Sequence, residues 1–157
     1  MRIVTIDPKK CVGCRNCEYA CSNNSAGFCD NKESNMKVNV YAQERAVVPM
    51  TCLHCEDAWC MQVCPAGAIS RDEKTNAVII DPTRCAGCKM CVLACPYGNI
   101  HFDKVKQVSR KCDLCGGEEP NCVKHCIGGA LSFEEIEDTV DEKRKTVDSI
   151  IKAKLKK

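Results

Sequence analysis

The sequence predicts an α+β fold: two small modules of short β-hairpins and small helices, one nested inside the other, with a C-terminal helix appended. Three observations predict it. Four cysteine motifs follow one another in the order tight, loose, tight, loose. A hairpin pattern joins the second motif to the third, which makes those two one unit. Aromatic residues supply only 4% of the 157 residues while cysteines number 17, so a conventional apolar core has to be replaced by something else.

The tight motif is clearest at Cys85-Ala-Gly-Cys88-Lys-Met-Cys91-Val-Leu-Ala-Cys95-Pro96, and recurs at Cys11, Cys14, Cys17 and Cys21. The loose motif occupies Cys52, Cys55, Cys60 and Cys64, then Cys112, Cys115, Cys122 and Cys126. A chain that returns a cysteine every third residue can wrap three corners of a 4Fe-4S cube. The fourth cysteine, expected to start a helix and point away, normally ligates a second cluster. Four such motifs predict four 4Fe-4S clusters, with iron bound through sixteen thiolates.

Disulfides and zinc are the competing readings. The cysteine count is odd, no secretory segment precedes the motifs, and three thiols two residues apart crowd one loop instead of stapling distant ones. Zinc ribbons do not need the third cysteine or the Cys-Pro that follows. The formal charge of +2 counts thiols as neutral; sixteen thiolates and four oxidised cubes bring the loaded chain to about −6. Nucleic acid is therefore not an expected partner. Lys9, Lys10, Arg15, Arg84, Lys89, Arg110, Lys111 and Lys124 read as local compensation for cluster charge. No stretch approaches the apolar length of a membrane span, and free thiols in this number fit a reducing, cytoplasmic setting.

From the N-terminus, Arg2-Ile-Val-Thr-Ile6 reads as a short edge strand broken by Asp7-Pro8. The same lead-in returns at Val78-Ile-Ile-Asp81-Pro82, and residues 4–21 match residues 78–95 at ten of eighteen positions, an internal repeat. Gly13, Gly87, Gly67 and Gly129 stand at matched places, where positive φ is expected to turn backbone N–H groups toward cluster sulfur. Residues 22–35 read as loop and Met36–Tyr41 as strand. Cys29 fits no motif and reads as an inert thiol. Between Cys64 and Cys85 two apolar stretches flank a polar turn, a hairpin. The second and third motifs then form one module (36–95), inserted into another built from residues 1–35 and 96–133. Ser132-Phe-Glu-Glu135 reads as a capping box opening a helical extension over residues 134–157, acidic at its start and basic at Lys152, Lys154, Lys156 and Lys157. Ile136, Val140, Val147, Ile151 and Leu155 form its apolar face.

Nothing else supplies catalytic apparatus. His54, His101 and His125 belong to no triad or zinc motif, and there is no phosphate-binding or dinucleotide loop. Trp59, Tyr19 and Tyr97 read as packing against clusters and shielding them.

The motif order and the spacings Cys52-x2-Cys55-x4-Cys60-x3-Cys64-Pro, Cys85-x2-Cys88-x2-Cys91-x3-Cys95-Pro and Cys112-x2-Cys115-x6-Cys122-x3-Cys126 resemble the four-cluster iron-sulfur subunits of molybdenum and tungsten oxidoreductases. That family includes the electron-transfer subunits of dimethyl sulfoxide reductase and formate dehydrogenase. Related small subunits serve tungsten aldehyde oxidoreductases and benzoyl-CoA reductase. The resemblance implies nested bacterial-ferredoxin-like modules and four ligand sets: Cys11, Cys14, Cys17 with Cys126; Cys52, Cys55, Cys60 with Cys95; Cys85, Cys88, Cys91 with Cys64; and Cys112, Cys115, Cys122 with Cys21. It implies an electron wire, without a reaction of its own, between a larger catalytic subunit carrying a tungsten- or molybdenum-pterin and a second redox partner such as a ferredoxin or another iron-sulfur or flavin subunit. Ser22 and Ile127 depart from the family by replacing the proline after the first and fourth motifs, and the C-terminal membrane anchor of some relatives is absent. A free-standing soluble polyferredoxin is the alternative, and a module whose metals merely hold a binding surface is a third reading.

Overall fold

The computed structural model describes residues 1–155, without the side chains of residues 138, 139, 142, 143, 146, 149, 150 and 153–155. In chain order the elements are β1 (Arg2–Ile6), α1 (Asn16–Ala26), β2 (Lys37–Tyr41), β3 (Ala46–Met50), α2 (Trp59–Gln62), β4 (Ile69–Arg71), β5 (Val78–Ile80), α3 (Met90–Ala94), β6 (His101–Asp103), β7 (Val108–Arg110), α4 (Asn121–Lys124), β8 (Leu131–Glu135) and α5 (Ile136–Leu155). The described strands form four antiparallel two-stranded ribbons, β1–β8, β2–β3, β4–β5 and β6–β7. This is a small α+β fold in which no ribbon has enough partners to be stable alone.

The first and last ribbon strands close the chain on itself. Val4 stands opposite Phe133 and Ile6 opposite Leu131, and all but Ile6 are buried. Arg2 lies over the Phe133 ring, 4.1 Å from its centroid. Asp7 then accepts the Lys9 backbone N–H at 3.1 Å, starting a single 3-10 turn at Pro8–Lys10. The repeated lead-in behaves alike, since Asp81 accepts from Thr83 N–H at 2.8 Å and Pro82 follows. Both turns deliver the chain into a tight motif. The hairpin expected between Cys64 and Cys85 is β4–β5, with Ile69 opposite Ile80.

Three local expectations are corrected. Ser132 does not cap a helix: it lies in β8 opposite Thr5, and the helix begins only at Ile136. The strand pairing is set by β1, far away in sequence, and it overrides the local capping pattern. The fourth cysteine of a motif does not start a helix: Cys95 C-caps α3, donating its N–H to Cys91 O at 3.2 Å, and Cys21 lies in the middle of α1. Residues 22–35 are not all loop, because α1 runs through Ser22 to Ala26 and stops at Gly27 with φ 82°. Ser22 supplies the helical N–H that proline lacks at the matched positions after Cys64 and Cys95.

Two apolar clusters fill the interior. One gathers Val4, Met36, Val38, Leu114, Leu131 and Phe133 with Cys17 and Cys122; the other gathers Ala58, Ile69, Val78, Ile100 and Cys91. Met36, Val38 and Ala77 thus pack with residues from both ends of the chain, and Ile100 packs with Ala58, Ile69 and Val78. On α5, Ile136, Val140, Val147 and Ile151 are exposed. The side chain of Leu155, and Lys156 and Lys157 altogether, lie outside the described residues.

Candidate cluster sites

The four motifs share a backbone device. The residue before the second cysteine is left-handed in each: Gly13 at φ 71°, Gly87 at 68°, His54 at 49° and Leu114 at 57°. At Gly87 a side chain is also excluded by space, because a Cβ there would stand 2.5 Å from Gln107 O. The inverted turn places backbone N–H groups at thiol sulfur, with His54 N–H donating to Cys52 Sγ and Leu114 N–H to Cys112 Sγ, both at 3.4 Å. Ala68 N–H reaches Cys64 Sγ at 3.3 Å and Ala130 N–H reaches Cys126 Sγ at 3.2 Å. Donors of this kind favour a thiolate over a thiol.

Three thiol quartets line cavities. Cys52, Cys55, Cys60 and Cys95 surround one of about 190 Å³ together with His54 and Val78. Cys11, Cys14, Cys17 and Cys126 line a second with Val38 and Leu131. Cys64, Cys85, Cys88 and Cys91 line a third with Ile69 and Ser109, whose Oγ is 3.3 Å from Cys91 Sγ. Cys21 stands within electrostatic reach of Cys112, Cys115 and Cys122 where α1 packs on α4. There Asn24, one turn beyond Cys21, donates to Cys115 Sγ at 3.5 Å and accepts from Asn121 at 2.8 Å.

Short helices tie the quartets in pairs. Cys17 and Cys21 lie one turn apart on α1, so the helix carries one thiol to each of two quartets; α4 and the turn after it do the same with Cys122 and Cys126. Cys60 with Cys64, and Cys91 with Cys95, repeat the arrangement at α2 and α3. Thiols separated by four residues on a helix project on one face.

The chemistry of the donor set fits iron-sulfur cubes. Burial pushes the Cys17 and Cys112 thiols up to about 12, and raises Cys122 further. Thiols so disfavoured as free anions are ionised by a bound metal cation. No group of three His, Cys, Asp or Glu among the described residues is gathered tightly enough for a single metal ion; the thiols frame cavities, which suits a multi-atom group. Bound there, a cube would supply one-electron exchange, and the chain's own part is to hold it, exclude water and present N–H donors.

His54 is 3% exposed. Its Nδ1 accepts the Val78 N–H at 3.1 Å, which leaves the ring proton on Nε2. Burial lowers its pKa to about 3, and buried Nε2 has no protein partner among the described residues. It is a neutral donor in the wall of the first cavity. His101, on β6, is likewise held neutral by burial, at about 4; His125 is exposed against Asn121 O at 2.9 Å. Trp59 and Tyr97 both line the Cys52 cavity while remaining partly exposed, at 62% and 49%, whereas Tyr19, 43% exposed, stands beside Cys29 and lines none of the three quartet cavities. Cys29 is exposed beside Tyr19 and Asn121, outside every quartet. The residue that sequence reasoning undervalued is Lys111, which is buried; its place directly before Cys112 is the signal that could have singled it out.

Residues 43–136 match the model of a 4Fe-4S dicluster domain family, and residues 10–68 match a second family of the same description. The chain belongs to this family of iron-sulfur electron-transfer proteins. The polyferredoxin-like subunit of an aliphatic sulfonate oxidoreductase from Pyrococcus furiosus is 40% identical over 124 residues, covering 78% of this chain and 70% of that subunit. The electron transport protein HydN of Escherichia coli is 34% identical over 171 residues, covering 92% and 95%. AegA of Escherichia coli is 35% identical over 144 residues, but the chain spans only 22% of AegA's length. Among solved structures, a chain of the active site complex BamBC of benzoyl coenzyme A reductase, as isolated, superposes with a TM-score of 0.52 at 26% identity, over 97% of this chain and 90% of that one. No helix among the described residues is long and apolar enough to cross a membrane.

Proposed function

We propose that this chain carries four 4Fe-4S clusters in two nested ferredoxin-like modules. It conducts single electrons between a larger catalytic subunit, of the tungsten- or molybdenum-pterin kind, and a second iron-sulfur or flavin redox partner. The observation that carries this reading is that each thiol quartet takes three cysteines from one motif and the fourth from another. That interleaving is what a two-cluster ferredoxin unit requires. The helices pair the Cys11 quartet with the Cys112 quartet, and the Cys52 quartet with the Cys85 quartet. Together with Lys111, whose ammonium donates to both Val78 O and Cys112 O, this supports a line of sites with one end in each module. A line with two ends suits conduction between two docking surfaces better than diffusion to and from one.

The sulfonate oxidoreductase subunit and the BamBC chain support a place in an oligomeric oxidoreductase. No catalytic site is needed in this chain, since the reaction resides in the partner. The test is native affinity purification from anaerobic extract, with iron, tungsten and molybdenum analysis. The expected result is about sixteen irons and sixteen acid-labile sulfides per chain, and co-purification of a larger subunit containing tungsten or molybdenum. A partner-free monomer with sixteen irons would establish the free polyferredoxin instead, and a colourless chain holding zinc would remove both readings.

A further inference from the structure

Lys111 is only 5% exposed, yet its ammonium donates to backbone carbonyls, Cys112 O at 2.8 Å and Val78 O. The ion pairs among the described residues do not include it. An ammonium taken out of water without a counter-charge is costly, and carbonyl dipoles offset only part of that cost. Its position says where the missing negative charge belongs. Val78 lines the cavity of Cys52, Cys55, Cys60 and Cys95, whereas Cys112 belongs to the quartet with Cys21, Cys115 and Cys122. The ammonium is pinned between one residue of each. The neighbouring Arg110, by contrast, is paired with Glu33 at 2.9 Å, and Lys89 rests 4.3 Å from the centroid of the Phe102 ring.

We propose that Lys111 is the shared counter-cation of the two inner cluster sites, and that it raises the reduction potentials of both, so that an electron crossing between the modules is stabilised at their junction. This rests on the four-cluster reading above. In the step concerned one electron leaves a reduced site and enters an oxidised one; the acceptor site becomes one unit more negative, the donor one unit less, and no proton moves. A fixed cation beside the inner pair stabilises an electron that enters it from an outer site, while between the two inner sites, which share the cation, its effect cancels; low-dielectric surroundings amplify the stabilisation.

The test is anaerobic potentiometric titration of the loaded chain, followed by electron paramagnetic resonance, for wild type, Lys111→Met and Lys111→Arg. Methionine keeps the bulk and removes the charge; arginine keeps the charge. The expected result is that Lys111→Met disfavours reduction of two of the four clusters about tenfold, roughly 59 mV each, while Lys111→Arg stays near wild type. Unchanged potentials in Lys111→Met with wild-type iron content overturn the proposal, and a shift confined to one cluster overturns the shared role. If Lys111→Met instead loses iron, restoration by arginine supports the counter-cation, and loss that arginine does not repair marks a packing role and overturns it. A wild-type chain with fewer than sixteen irons overturns the four-cluster reading itself, and this inference with it.

Discussion

Glu18 and Val38 are joined by a buried hydrogen bond, the Val38 N–H donating to Glu18 Oε1 at 2.9 Å. The bond fastens the β2–β3 hairpin to α1 next to Cys17, and Arg15 stands 3.8 Å from the other carboxylate oxygen. Glu18→Ala strands a buried N–H, at an expected cost of about 1–3 kcal/mol; Glu18→Gln keeps the acceptor and should lose much less. The rate of bleaching of the visible absorbance in urea, measured anaerobically, ranks the variants. Equal rates for alanine and glutamine would show that the hydrogen bond is not what holds the hairpin.

The position after the fourth cysteine yields an expectation against the repeat. Pro65 and Pro96 follow Cys64 and Cys95, so Ser22→Pro resembles a return to pattern. In this fold Ser22 is fully buried inside α1, its Oγ donating to Tyr19 O at 3.0 Å and accepting the Asp30 N–H at 3.1 Å. Proline there removes a helical N–H and the serine hydroxyl, with an expected loss of about 3 kcal/mol or more. Urea bleaching should show Ser22→Pro far less stable than Ser22→Ala, and a neutral proline would mean that α1 ends before Ser22.

Much of this was legible because cysteine spacing and turn chemistry are local. Asp7-Pro8 and Asp81-Pro82 announce the turns before two motifs, and the polar stretch between Ile69 and Val78 announces a hairpin. What was not legible depends on distant partners. Ser132-Phe-Glu-Glu135 satisfies a helix cap locally, but β1 claims it as a strand. His54 and Leu114 adopt the left-handed turn that glycine makes in the tight motifs, and no residue type at those positions advertises it. Lys111 reads as one more surface cation until β5 is seen to cover it.

Acid should act on the turns as well as on the thiolates. Thr75 holds the Asp72 carboxyl below its ordinary pKa, Thr83 does so for Asp81, and the backbone N–H of Lys106 does so for Asp103. A carboxylate whose folded pKa is depressed contributes stability that is present above its unfolded value of about 3.9 and is lost as pH falls through the folded value. The triple variant Asp72→Asn, Asp81→Asn, Asp103→Asn should therefore bleach faster than wild type in urea at pH 5, and the gap should close toward pH 3. A gap independent of pH would assign the loss to turn geometry alone.

The interleaved quartets are tested by removing a fourth cysteine and asking which loop loses its cluster. Cys95 stands at the end of the third motif, yet it shares a cavity with Cys52, Cys55 and Cys60; Cys64 ends the second motif and shares one with Cys85, Cys88 and Cys91. Each is therefore placed one helical turn from the loop of its own motif and in the wall of the other's. Cys95→Ser should perturb the cluster wrapped by Cys52–Cys60, lowering or abolishing its signal in electron paramagnetic resonance, while the cluster of Cys85–Cys91 keeps its three loop thiols and Cys64. Cys64→Ser should do the reverse. Cys29→Ser is the control and should leave iron content at the wild-type value, since its exposed thiol lies outside every quartet. Selective labelling of cysteine sulfur environments in each variant, read by hyperfine spectroscopy, identifies the cluster affected. If Cys95→Ser damages the Cys85–Cys91 cluster and spares the other, each motif closes on itself. The helices would then not bridge sites, and the line of four would break into separate carriers.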